Sequence, residues 1–159
     1  THHDVVFREA MRTLIHDRWQ ELWKAMPAAI EGSTSEGVHD VRVASRRLRA
    51  AMDVAAPAFP RGWYKPLHRS AKDITGSLGE VRDRDVILER LQEQRAAVAP
   101  ADWPGIDRLI TRIDGERIVA REAMEAYLAN LMHGSLRDEV ERRFGQKGSS
   151  ETRDSEANT

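Results

Sequence analysis

The sequence predicts an all-α fold, an antiparallel four-helix bundle with long helices. Three observations carry this reading. Apolar residues recur at spacings of three and four along almost the whole chain. No segment shows the strict alternation of a half-buried strand. Pro57, Pro60 and Gly134 fall between the periodic stretches, where connections are needed. The 159 residues suit one domain with a core of useful size, and 40 % apolar with 32 % charged residues is a globular, soluble composition.

The first helix is read from Phe7, Met11, Leu14, Ile15, Trp19, Leu22, Trp23 and Met26, one amphipathic face. Pro27 should kink this helix or end it close by. Ser33 and Glu36 have capping-box spacing for a second helix reaching about Ala56. Pro57 and Pro60 then enclose a turn. A third helix starts near Trp63, with Pro66 tolerable in its first turn, and runs through Ile74, Leu78, Val81, Ile87 and Leu91 to about Ala97. Gly76 and Gly79 inside it each cost about 0.5–1 kcal/mol relative to Ala, and close approach of a backbone or a ligand is the simplest compensation. Asp102 is an N-cap for the fourth helix, with Pro104 just inside it. Its apolar face is Ile106, Leu109, Ile110, Ile113, Met124, Leu128 and Leu131. Gly134 breaks it, and Leu136 to Phe144 form a further turn or two. These elements make one domain over residues 1–144, and residues 145–159 read as a disordered polar tail. Trp19, Trp23 and most methionines are core residues.

Composition removes several function classes. With no cysteine there is no disulfide framework and no thiolate metal site. No apolar run approaches the ~20 residues of a membrane span, and the start lacks a signal-peptide apolar region, so a cytoplasmic protein is expected. The net charge of −1 conceals an asymmetry: residues 38–72 carry eight Lys/Arg against two Asp/Glu, while both flanking segments are acidic. Such concentration favours a local anion site over a generally basic protein.

Within that segment, His39, Arg42, Arg46 and Arg49 fall three or four residues apart. At ~100° per residue they share a sector of roughly 80°, opposite Val41, Ala44, Leu48, Ala51, Met52 and Ala55. Crowded cations repel by a few tenths of a kcal/mol per i,i+4 pair, which suggests an anionic partner. Lys65, His68, Arg69 and Lys72 form a second cluster. Lys65, Arg69 and Lys72 share one side of the third helix, and continuing along it reaches Gly76, Gly79 and, near its edge, Arg82. Two consecutive helices thus carry a basic stripe beside an apolar stripe, and the basic stripes can flank one groove. Arginine offers planar multidentate donors to phosphate oxygens, and lysine a mobile point charge. On charge pattern alone, a solvated or internally paired basic face competes evenly with this reading.

The run Val38-His39-Asp40-Val41-Arg42-Val43-Ala44-Ser45-Arg46-Arg47-Leu48-Arg49 closely resembles the signature helix of the CHAD family, the conserved histidine α-helical domain. Leu78-Gly79-Glu80-Val81-Arg82-Asp83-Arg84-Asp85-Val86-Ile87-Leu88 resembles that family's next signature, in the right order. The resemblance implies an all-helical domain that binds inorganic polyphosphate, without catalysis or cofactor, through a basic channel or groove. It also implies an association with polyphosphate granules. His39, Arg42, Arg46, Arg49 and Arg82 fall on the family's histidine and basic positions, geometry adds Lys65, Arg69 and Lys72, and Arg47 of the same run is also expected at the site. One departure is plain. Family domains commonly contain two four-helix halves, and this chain resembles the N-terminal half alone. Either a second half is missing or two copies associate as a homodimer.

Competing functions follow from the same residues. The His39-Asp40 doublet occurs in metal-dependent phosphohydrolases, where His16 and Asp83 or Asp85 would complete the ligands, but dense cations nearby oppose metal binding. Nucleic acid is disfavoured, because the basic segment interleaves few aromatic or amide side chains with its cations. A basic helical bundle docking an acidic protein is the third reading.

Overall fold

The computed structural model describes residues 1–32 and 35–145. Among them are five α-helices and no strand: α1 (His2–Glu31), α2 (Ser35–Ala55), α3 (Arg61–Ala97), α4 (Trp103–His133) and α5 (Leu136–Phe144). Short 3-10 turns at Ala56–Ala58 and Pro100–Asp102 lead into α3 and α4. The expected cap at Ser33 and the polar tail beyond Gly145 lie outside the described residues.

The helix ends follow from local chemistry. Thr1 and Asp4 form a reciprocal capping box at the start of α1. Pro27 leaves the Trp23 carbonyl without its usual i+4 donor, yet α1 continues for one more turn and closes where the Gly32 amide donates to Ala28 O at 2.9 Å. α3 begins at Arg61, with extended Pro60 as N-cap, so Pro66 lies inside the helix and not in its first turn. Asp102 does cap α4, but by position alone, since its side chain makes no capping hydrogen bond.

The contacts Ser45–Thr75 and Asp53–His68 set α2 against α3 in opposite directions, and Asp85–Arg117 and Arg95–Asp107 do the same for α3 and α4. The fully buried centre combines Ile15, Trp19, Leu22 and Met26 of α1 with Val41, Leu48 and Met52 of α2. Ile74 and Leu78 of α3, Leu128 of α4, and Val140 and Phe144 of α5 complete it. The Trp19 and Trp23 rings stack at 5.4 Å, in the packing role expected of them. α5 seals one end by crossing α1. There Arg12 Nη1 donates to Phe144 O at 2.7 Å, and Glu141 Oε1 lies 2.8 Å from His16 Nε2. Phe7 and Leu14, by contrast, sit on the surface at 45 % and 36 % exposure.

Two features differ from the sequence reading. The glycine that permits close helix approach is Gly37, where a Cβ would stand 2.6 Å from Ala28 O across the α1–α2 contact. Nothing lies within 4 Å of a Cβ at Gly76 or Gly79, so neither admits a neighbouring backbone. The apolar face of α4 is also only partly used. Met124 and Leu128 are buried, Ile106, Ile110, Ile113 and Leu131 are half-buried, and Leu109 is exposed. α3 is 37 residues long, about 55 Å, against 21 residues, about 31 Å, for α2. The far ends of α3 and α4 therefore pair mainly with each other. Polar contacts hold that hairpin: Arg117 Nε donates to Asp85 Oδ1, Arg95 Nε donates to Asp107 Oδ1 at 2.7 Å, and Trp103 Nε1 donates to Arg95 O at 2.8 Å.

Candidate functional site

The α2–α3 seam is where the basic stripes meet. Its register is read from direct contacts. Thr75 Oγ1 donates to Ser45 Oγ at 3.2 Å, and Asp53 Oδ1 lies 2.6 Å from His68 Nε2. Steps along α2 toward its C-terminus are matched, to within one residue, by steps back along α3. Arg42 is thereby level with Gly79, Arg49 with Lys72, and His39 with Arg82. The seam is floored by small groups, with Ser45 fully buried beneath it.

One depression lies on this seam, and a second lies past its end between α3 and the Ala56–Ala58 turn. The first is lined by Arg42, Arg46 and Arg49 together with Ala50, Asp53, Thr75 and Gly79. Arg42 is half-buried, and Arg46 and Arg49 are exposed. The open space above Gly79 belongs to this trough. The second depression lies toward the start of α3 and is lined by Arg61, Lys65, His68 and Lys72, with Tyr64, Phe59 and the Ala56–Pro57 turn behind them. The Asp53–His68 contact joins the two, since Asp53 lines the first and His68 the second. Tyr64 anchors the junction: its hydroxyl donates to Met52 O at 2.6 Å. Burial, and then the charge of Asp53, push that phenol well above its ordinary range, so it stays a neutral donor.

The nine residues expected at the site thus divide. Arg42, Arg46 and Arg49 are together in one depression, and Lys65 and Lys72 are together in the next. Arg82 is half-buried and, two helical turns from Thr75, faces the same seam beyond the first depression. His39 is exposed, level with Arg82. Arg47 and Arg69 are exposed and line neither depression. A rotation of ~100° from Arg46 carries Arg47 away from α3, and Arg69 lies farther round α3 from α2 than Lys65 or Lys72. Sequence reasoning passed over Asp53 and Arg61. Both continue the stripes at the same spacing, Asp53 four residues after Arg49 and Arg61 four before Lys65, so the signal was present.

Ion pairing distinguishes this face from much of the remaining surface. Around the rest of the fold, most described arginines meet acids, among them Arg12 with Glu9, Arg18 with Glu21, Arg84 with Glu116, Arg117 with Asp85, Arg121 with Glu125, and both Arg142 and Arg143 with Glu139, whereas Arg8, Arg90, Arg108 and Arg137 do not. Among the described residues, none of His39, Arg42, Arg46, Arg47, Arg49, Lys65, Arg69, Lys72 or Arg82 has such a partner. Of the acids of α4, Asp107 and Glu116 reach Arg95 and Arg84 in α3's far half, and Glu125 pairs with Arg121 within α4.

The metal-site residues are dispersed. His16 is engaged by Glu141, Asp85 by Arg117, and Asp40 faces the α1–α2 turn beside Glu31 and Glu36. Among the described residues, no group of three or more His, Asp or Glu side chains could hold an ion. No described helix is long and apolar enough to cross a membrane.

No curated protein and no solved structure matches the chain. The model of the CHAD domain matches residues 13–158, a span that takes in both signature segments, the whole α2–α3 seam and the polar segment after Gly145. With nearly the whole length matched and the helical fold and basic seam in place, the chain belongs to the CHAD domain family.

Proposed function

We propose that this chain binds inorganic polyphosphate non-catalytically along the α2–α3 seam. CHAD domains are associated with polyphosphate binding in general. The observation that carries the proposal to these residues is the contrast in ion pairing. The fold neutralises most of its other arginines, yet leaves a line of cations without described acids on two adjoining helix faces. Like charges so placed cost stability unless an anion offsets them.

A linear polyanion suits this arrangement better than a compact one. Cations recur along the seam about every 5–6 Å of helix rise, and a chain of phosphates presents charge continuously. Contact is spread over arginine forks and lysine point charges, so no single residue dominates. In this reading association with polyphosphate granules is a consequence of the same groove, and a second copy can enter by binding the same polymer.

Light scattering with and without long-chain polyphosphate, paired with titration calorimetry, tests the proposal. The expected result is saturable binding that weakens steeply as salt rises, with a mass that reports how many copies share a polymer. Absence of binding at low salt, or binding indifferent to salt, overturns it. Turnover of a phosphate ester on addition of a divalent metal would replace it with the hydrolase reading.

A further inference from the structure

We infer that the groove is two anion seats parted by the Asp53 carboxylate, and that this arrangement selects long polyphosphate over short phosphate anions. The inference rests on the polyphosphate reading and concerns the same site.

The arginine seat holds Arg42, Arg46 and Arg49; the lysine seat holds Arg61, Lys65 and Lys72. Asp53 is the one carboxylate lining either depression among the described residues, and it stands where they meet. It is not withdrawn into the protein: its side chain is 51 % exposed, while that of His68 is 15 % exposed. One oxygen is taken up by His68 Nε2 at 2.6 Å, and no other described group donates to the side chain. Asp53 is also one helical turn from Arg49, so any anion held by Arg49 lies close to a like charge.

The consequences differ with ligand length. A short anion sits in one seat and bears the repulsion of Asp53 with only that seat's cations to offset it. A long chain that fills one seat presents its next units to the other at high effective concentration, and the second contact adds affinity without new entropy of association. The two seats extend over about 27 Å of α3, from Gly79 back to Arg61 at about 1.5 Å per residue. Asp53 thus lowers the affinity of fragments more than that of polymer.

The test measures affinities for triphosphate and for long-chain polyphosphate at one pH and ionic strength, in wild type, D53N, H68A and K65A, with melting curves for each. D53N is expected to tighten triphosphate binding by about threefold to tenfold and to lower the long-to-short affinity ratio. H68A, which frees the carboxylate, is expected to weaken triphosphate binding. K65A should weaken the long chain by more than it weakens triphosphate. A lowered long-to-short ratio in D53N is the decisive sign, because a merely structural tie between Asp53 and His68 would leave that ratio unchanged. A D53N ratio equal to wild type, or weakened triphosphate binding in both variants, overturns the inference while leaving polyphosphate binding intact. Failure of wild type to bind the long chain overturns the functional reading itself.

Discussion

Replacing Arg42, Arg46 and Arg49 together by alanine separates a binding surface from a structural one, because the two roles predict opposite changes in stability. None of the three pairs with a described acid, so alanine removes no described ion pair. It does remove two like-charge contacts, Arg42 to Arg46 at i,i+4 and Arg46 to Arg49 at i,i+3, each worth a few tenths of a kcal/mol. Alanine is also the better helix former. The unliganded triple variant should therefore be more stable by about 0.5–1 kcal/mol, a rise in Tm of about 1–4 °C for a chain of this size. Binding should move the other way. Each arginine contributes about 1–1.5 kcal/mol net to a multi-contact anion complex, so single variants lose about fivefold to tenfold and the triple loses on the order of 10²- to 10³-fold. The slope of log affinity against log salt should shrink by about 0.7 per arginine removed, the counterion release expected along a single-stranded polyanion. Calorimetry at several salt concentrations, with melting curves on the same samples, reads all three quantities. A triple variant that binds normally refutes the site, and one that binds weakly because its Tm has dropped refutes the claim that these arginines are free of structural duty.

The remaining predictions concern the frame that presents the groove. Tyr64 keeps its proton in the fold to a higher pH than in the unfolded chain, so its contribution is complete below about pH 10 and drains away as pH rises above that. Urea midpoints across alkaline pH should fall in wild type and fall less in Y64F, which at neutral pH is weaker by about 1 kcal/mol for the lost bond to Met52 O. G37A should cost about 1–3 kcal/mol despite its better helix propensity, since the new methyl would lie 2.6 Å from a backbone oxygen of α1. G76A, with nothing within 4 Å of its Cβ, should stabilise by about 0.5–1 kcal/mol, and a G37A variant as stable as wild type would remove the close α1–α2 approach from the account.

Much of this site was legible because its logic is local. The stripe from Arg42 to Arg49 is a matter of helical spacing, and spacing is what a sequence displays. The opposing stripe on α3 followed from the same rule once a tight turn joined the helices. What spacing does not carry is the length of a neighbour. Ile106, Leu109, Ile110 and Ile113 have the period of a buried face, yet α2 ends before it can cover the α3–α4 hairpin, and they remain half-buried or exposed. The two glycines of α3 failed for a related reason. A glycine in a helix marks a place where a side chain is unwelcome, but not whether a backbone or open space lies above it. Gly79 proved to border the groove, and the tight contact fell to Gly37. Arg47 and Arg69 belong to the same basic runs as the groove residues, and composition alone could not exclude them. Only the angle each makes with the partner helix does.

The division of labour within α2 explains how the fold sustains an unneutralised groove. Val38, Val41, Leu48, Met52 and Ala55 are buried at 1 % exposure or less. Their packing anchors the helix, at about 1.5–3 kcal/mol for each large apolar side chain removed from water. Repulsion between the arginines on the opposite face amounts to a few tenths of a kcal/mol per pair. The buried face outweighs the charged one several times over, so α2 needs no acid to hold its place. The polar contacts between α2 and α3 are correspondingly few. Ser45 with Thr75 and Asp53 with His68 set the register, and neither occupies Arg42, Arg46 or Arg49. An acid introduced at Thr75 would stabilise the helix pair by satisfying those arginines, and by the same act would close the site. The arginines of α2 can stay unpaired with described acids because the stability of the bundle is drawn from the helix's other side.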